Sequence, residues 1–149
     1  MRNAAGAPLG GYVNKIRRIG GGGFVTGFDI STDGTTKVCN MDVFNCYKWA
    51  TGDTQWKEMF TEASLPAGER VITNGSLTAG GGGYSSAVAP NTPSRLYATW
   101  NAYWYSSSNS GATFTRSALA AKKMFSNRGE QRLWNNKMAV DPQNPLVAM

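Results

Sequence analysis

The run Gly20-Gly21-Gly22-Gly23-Phe24 returns sixty residues later as Gly80-Gly81-Gly82-Gly83-Tyr84. Self-similarity at such a period points to repeated supersecondary units rather than one irregular fold. The segments downstream of the two runs match in kind. After the first, Phe24 to Ser31 predicts a strand, Thr32-Asp33-Gly34 a turn and Lys37 to Met41 a second strand. Cys46 to Trp49 then predicts a third strand, Thr51-Gly52-Asp53 a turn and Gln55 to Phe60 a fourth. After the second run come Tyr84 to Ala89, a turn at Pro90-Asn91-Thr92-Pro93, and strands at Leu96 to Trp100, Ala102 to Ser106 and Thr113 to Ser117. Each unit reads as a four-stranded antiparallel meander. A third opens at Lys137-Met138-Ala139-Val140-Asp141-Pro142-Gln143-Asn144-Pro145, which parallels Ser86 to Pro93.

Spacings of 60 and then 52 residues, each holding four short strands, suit β-propeller blades and are too long for leucine-rich or ankyrin repeats. The expected fold is therefore all-β: two four-stranded antiparallel blades plus the start of a third, in an incomplete ring. Residues 1–18 form an N-terminal extension, with blade 1 at about 19–62, blade 2 at about 80–120 and the start of blade 3 at about 132–149. The one helical stretch, Ser117 to Phe125, reads as a connection between blades. With 41% hydrophobic and 16% charged residues, the chain has the composition of a folded core. The glycine runs lack the Lys-Ser/Thr of a phosphate loop and lead into strands, so they read as tight crossings between blades. Pro145 to Met149 reads as a strand cut short, which predicts truncation at one or both ends.

The chain contains no histidine, which removes Ser-His-Asp and Cys-His catalysis and His-ligated zinc. Chemistry falls to nine carboxylates, among them Asp29, Asp33, Asp42 and Asp53. Calcium binding through Asp29, Asp33 and Asp42 lacks EF-hand or RTX spacing, and neither a metal nor a cofactor is expected. Cys39 and Cys46 bracket a turn and are either joined across a hairpin or buried as free thiols. The net charge of +6 is spread over loops and ends as a solvated excess, and there is no nucleic-acid-binding motif. No segment approaches the roughly 20 apolar residues of a membrane span, so neither nucleic acid nor membrane is an expected partner. Residues 1–20 also lack the apolar stretch of a secretion signal.

At the last turn of the second unit, Ser107-Ser108-Asn109-Ser110-Gly111-Ala112-Thr113-Phe114 resembles the Asp-box of sialidases and related propellers, with Asn109 in the aspartate position. In that motif the side-chain oxygen ties the turn to backbone N–H groups, glycine takes an unusual φ and the aromatic packs between sheets. Asn109, Gly111 and Phe114 are accordingly scaffold. The last turn of the first unit lacks the motif.

Ile19-Gly20-Gly21-Gly22-Gly23-Phe24-Val25-Thr26-Gly27, followed by Met41-Asp42-Val43-Phe44-Asn45-Cys46-Tyr47-Lys48-Trp49, resembles the opening blade of glycoside hydrolase family 74, the xyloglucanases and related endoglucanases. Arg128-Gly129-Glu130 and Met138-Ala139-Val140-Asp141-Pro142 resemble that family's passage from second to third blade. The resemblance implies two facing propellers around a β-1,4-glucan chain, inverting hydrolysis by one aspartate from each propeller, and secretion. It makes Asp42 the general base. Its partner, needed about 6.5–9.5 Å away across a water, would come from the second propeller. Phe44-Asn45 replaces the family's Gly-Gly, so Phe44 either fills part of the site or stacks on sugar. Without the resemblance, Asp42 is an ordinary hairpin-turn aspartate.

Trp100-Asn101-Ala102-Tyr103-Trp104-Tyr105 is the other feature of interest. Simple alternation places Trp100, Ala102 and Trp104 on one face and Asn101, Tyr103 and Tyr105 on the other. Trp100, Tyr103 and Trp104 join Phe44 as substrate-binding candidates, against the alternative that most of these rings pack between sheets. Two functions are compatible with these residues. One is the amino-terminal portion of a xyloglucanase-like hydrolase acting on polysaccharide, incomplete as a catalyst. The other is a non-catalytic propeller module for carbohydrate or protein, completed by missing blades or by other copies of itself.

Overall fold

Turn-forming residues cut the first unit into strands, and hydrophobic or β-branched residues fill the spaces between. In the computed structural model, which describes residues 19, 25–42, 45–70, 72–73, 76–77, 83, 85–101, 103–118 and 138–149, strands β1 (Val25–Ile30), β2 (Thr36–Met41), β3 (Cys46–Ala50) and β4 (Lys57–Glu58) are antiparallel neighbours in that order. A short 3-10 turn at Ala67–Glu69 and a two-stranded ribbon, β5 (Ile72–Thr73) and β6 (Ser76–Leu77), come next. The ribbon has no counterpart in the expected strands. The second sheet repeats the meander with β7 (Ser86–Val88), β8 (Leu96–Trp100), β9 (Tyr103–Ser107) and β10 (Thr115–Arg116).

The outer strands are shorter than expected. Gln55 to Phe60 contracts to Lys57–Glu58: Met59 N–H still donates to Cys46 O at 2.8 Å, but Phe60 leaves the ladder, and both side chains are buried between the sheets. Thr113 to Ser117 contracts to Thr115–Arg116. The third unit is a hairpin: Val140 bridges Ala148, and Ala139 and Met149 exchange N–H···O bonds of 2.8 and 2.9 Å. The glycines of the first run and Gly80 to Gly82 lie outside the described residues, as do most of 117–125, Arg128-Gly129-Glu130 and residues 1–18. Gly83 is described. A Cβ there would stand 2.6 Å from Cys46 Sγ and 2.7 Å from its backbone nitrogen, so close approach of two backbones dictates glycine.

The sheets stack face to face. Val38 and Cys46 on one face of the first sheet, with Met59, Phe60 and Leu65, meet Val88, Leu96, Ala98, Trp100, Tyr105 and Phe114 of the second. Ala87 and Tyr97, on the second sheet's other face, pack against Met138, with Trp104, Val140 and Ala148 alongside. Polar bonds fix the first interface: Val88 N–H donates to Asp29 Oδ2 at 3.0 Å, Thr32 N–H to Pro90 O at 2.8 Å, and Phe114 N–H to Ser64 O at 2.8 Å. Asn91 and Tyr97 donate to the carbonyls of Pro142 and Pro145 at the second. Face-to-face stacking of short meanders in sequence order makes the fold all-β, with two propeller blades and the start of a third.

Register settles the cysteines. Cys39 pairs with Tyr47 and Asn40 with Cys46, so the two thiols point to opposite faces of one sheet. Cys46 enters the core between the sheets, while Cys39 joins Met41 and Tyr47 on the outer face. Both are free and buried, and the hairpin disulfide is excluded by a register one residue away from the one it needs. Burial pushes the Cys39 thiol up to about 12, and burial together with neighbouring Cys39 raises Cys46. Both stay protonated and unreactive at neutral pH. A thiol-specific chromogenic reagent is expected to find two thiols in the denatured chain and almost none in the native one, with no change on adding reductant.

Candidate functional site

Asp42 follows β2 directly and opens the β2–β3 turn, where it is half-buried. The far side of that turn is anchored by Asn45, which is fully buried. Its Nδ2 donates to Phe60 O at 2.7 Å, and its Oδ1 accepts from Phe60 N–H at 3.1 Å. Because β4 has ended at Glu58, these Phe60 groups have no ladder partner, and the asparagine amide supplies the missing donor and acceptor. Sequence reasoning registered Asn45 only as a departure from glycine. A polar residue flanked by a hydrophobic pattern was the available signal, but its partner fifteen positions away was not visible. Phe44 lies outside the described residues.

The equivalent turn of the second sheet joins β8 to β9 through Asn101, at φ 51°, and residue 102. Trp100 pairs with Tyr103, Thr99 with Trp104 and Ala98 with Tyr105. The expected sharing of faces is therefore corrected: Trp100, Tyr103 and Tyr105 share one face, and Trp104 lies on the other with Tyr97. Trp100 is 1% exposed and packs against Phe60 at 5.1 Å between ring centroids; it supports the turn from below and offers no ring face to a sugar. Tyr103 is partly exposed at the turn, with the Arg116 guanidinium 4.7 Å over its ring. Arg116 is in turn 3.4 Å from Glu69, which accepts from Tyr105 Oη. Trp104 is partly exposed and edge-on to Tyr97 at 6.4 Å.

The two turns lie at the same end of the stack. The β1–β2 and β7–β8 turns meet at the opposite end through Thr32 N–H and Pro90 O, and Lys48 Nζ on β3 reaches Ser110 O in the β9–β10 turn there. That opposite end is tied down by side chains. Asn109 Oδ1 accepts from Ser107 Oγ and Thr113 N–H, Ser107 Oγ accepts from Gly111 N–H, and Gly111 sits at φ 74° with Phe114 buried behind it. Asp33 Oδ1 does the same in the β1–β2 turn, accepting from Ser31 Oγ at 2.6 Å, Thr35 N–H at 3.0 Å and Thr35 Oγ1 at 2.8 Å. Cavities of about 220 and 210 Å3 open at this end, beside Asp33 and Pro90 and beside Lys48 and Asp53. Among the described residues, no group of three or more Cys, Asp or Glu is placed to hold a metal ion.

Stacked four-stranded meanders with loops divided between two ends define the class, blades of a β-propeller. Among solved structures, the chain is similar to the GH74 enzyme of Niastella koreensis, at TM-score 0.58 and 24% identity over 85% of this chain. It spans 18% of that structure's length, and the likeness is one of fold. No protein-family model and no curated protein matches the sequence.

Two outcomes test this geometry. Asn45→Ala leaves the buried N–H and C=O of Phe60 without partners, at a cost of roughly 3 kcal/mol, readable as a lowered urea midpoint. Hydrogen bonds from Ser31 and then Thr35 hold the Asp33 carboxyl below its ordinary value. The unfolded chain therefore takes up this proton first as pH falls. The stabilisation is present above the ordinary carboxylate range and is lost as pH falls through the lowered folded value. Asp33→Asn, which keeps an acceptor as Asn109 does, is expected to fold and to show a shallower loss of stability between about pH 5 and pH 2.

Proposed function

We propose that the chain forms the first blades of a xyloglucanase-like inverting glycoside hydrolase acting on β-1,4-glucan, with Asp42 as the general base. The observation that carries this reading is the placement of the Asp42 turn and the Tyr103 turn at one end of stacked blades whose fold is similar to that of a GH74 enzyme. Asp42 would draw a proton from the water that attacks the anomeric carbon. An aspartate from a second propeller would protonate the leaving oxygen. Tyr103 and Trp104 are the rings with exposed surface for stacking on sugar, and Phe44 is the third in this proposal. With one of the two carboxylates, the chain by itself binds glucan without cleaving it.

A second reading, a non-catalytic propeller module for carbohydrate or protein, is favoured by Asn45. A side chain committed to holding Phe60 stands where the resembled family has glycine, so this position serves packing in place of glycine's backbone freedom.

Affinity electrophoresis of the 149-residue chain through xyloglucan separates the two. On the hydrolase reading, the gel retards the chain, Tyr103→Ala weakens retention by about tenfold, and Asp42→Asn weakens it further. Retention unchanged by both substitutions, or none on any β-1,4-glucan, removes the site from this end of the blades.

A further inference from the structure

Alternation along β3 puts a lysine on the face that meets the second sheet. Cys46 enters the core between the sheets, so Lys48, two positions on, rises from the same face of the first sheet. Its partners across the ladder are Val38 on β2 and Lys57 on β4. Val38 is wholly buried in that core, while Lys57 sets a second cationic side chain in the directly opposite position. Like charges placed so destabilise a sheet unless a charge of the other sign stands near them.

The described residues supply part of that charge. Asp53, in the β3–β4 turn, forms an ion pair with Lys57 through Oδ1, and its Oδ2 accepts from Ala50 N–H at 2.9 Å. Both oxygens are thereby engaged. Lys48 instead reaches across to the second sheet and donates to Ser110 O. The ammonium is seated against the β9–β10 turn, where a Cβ on Gly111 would stand 3.0 Å from Nζ. That bond uses one of its three N–H groups, and among the described residues no carboxylate forms an ion pair with Lys48. Burial, and then Lys57, pull the Lys48 ammonium below its ordinary value, with Asp53 opposing them. A cavity of about 210 Å3 opens at this point, with Thr36, Lys48, Asp53, Lys57 and Ser110 in its walls. The space is many times the ~10–15 Å3 that a single water needs.

We infer that this cavity binds a small oxyanion, a free phosphate or the carboxylate of an acidic sugar, held between the Lys48 and Lys57 ammonium groups. Two lysines and one aspartate line it, so one positive charge is left over, and the anion balances it. Hydrogen bonds from ammonium groups to an oxyanion are shorter and stronger than neutral ones. The two lysines come from adjacent strands in fixed register, and Ser110 comes from the other sheet. The site is therefore complete only when the two sheets are stacked. It lies at the end away from Asp42, and the inference is independent of any hydrolase activity.

Amide NMR of the isotope-labelled 149-residue chain tests it, with sodium phosphate as the titrant and sodium chloride holding the ionic strength constant. The backbone amides of Lys48, Ala50 and Ser110 are expected to shift and saturate, while that of Asn101, at the other end, stays in place. Lys57→Gln, at an exposed position, is expected to keep the spectrum of the folded chain and to weaken binding by about tenfold. Lys48→Met weakens it at least as much. Glucuronate in place of phosphate, with glucose as its neutral control, separates the two sources: the anion that saturates at the lower concentration is the one the cavity suits. The inference is overturned if neither anion gives saturable shifts, or if glucose reproduces them. Saturable binding indifferent to Lys57→Gln would overturn it equally, whether or not Lys48→Met folds.

Discussion

The structure hangs on Phe60, which leaves the first sheet and lies between the two. Its ring is within 5.5 Å, centroid to centroid, of Trp100, Tyr105 and Phe114, and no part of it reaches solvent. A meander of four short strands cannot bury both its faces, so it becomes stable only when another sheet covers one of them. Burial of a side chain this size is worth about 1.5–3 kcal/mol, and each aromatic pair adds about 0.5–1.5. Placing Phe60 there ends the outer strand at Glu58, and the two backbone groups of Phe60 then need new partners. Asn45 provides both. The turn that carries Asp42 is therefore tied through Asn45 to the residue at the centre of the core, and the position of the carboxylate is a consequence of the packing of Phe60.

The two ends of the stack are built differently. At one end Ser31, Asp33, Ser107 and Asn109 bond their own turns into fixed shapes, and Asp53 accepts from Ala50 N–H in the β3–β4 turn. These short-range bonds fix the register of β1 with β2 and of β9 with β10, and so which residues face the core. The end with Asp42 and Tyr103 draws its polar support from long range, through Asn45 to Phe60 and through Glu69 to Tyr105 and Arg116. Side chains locked by distant packing are what a site needs if loops are to present groups in fixed geometry.

Most of the strand positions were legible because turn chemistry is local. Asp33-Gly34, Thr51-Gly52-Asp53 and Pro90 to Pro93 announce themselves within a few residues, and the inner strands fall between them. What failed was parity. Counting straight through the β8–β9 turn puts Trp100 and Trp104 on one face, but a two-residue hairpin pairs Trp100 with Tyr103 and restarts the alternation. The same kind of shift separates Cys39 from Cys46: proximity across the hairpin was readable, while the register that sends them to opposite faces was not. Asn45, Asp29 and Glu69 were silent as sequence because each is explained only by a partner from another unit or a distant segment.

Divergence among the three units also records which faces the chain covers. The position opposite Ile30, Val88 and Val140 is Lys37 in the first sheet, Leu96 in the second and Ala148 in the hairpin. Leu96 is wholly buried, and an ammonium in its place would have to give up its water without a paired charge. Lys37 avoids that by reaching outward, donating to Gly34 O and lying 4.1 Å over the Trp49 ring, at the edge of the face where Phe28 and Ile30 are exposed. A cation kept at the rim by its own neighbours can stay hydrated while its stem lies along apolar surface. The chemistry of that one position thus suits the solvent edge of the first sheet, whereas Leu96 belongs to the closed interface between the two sheets.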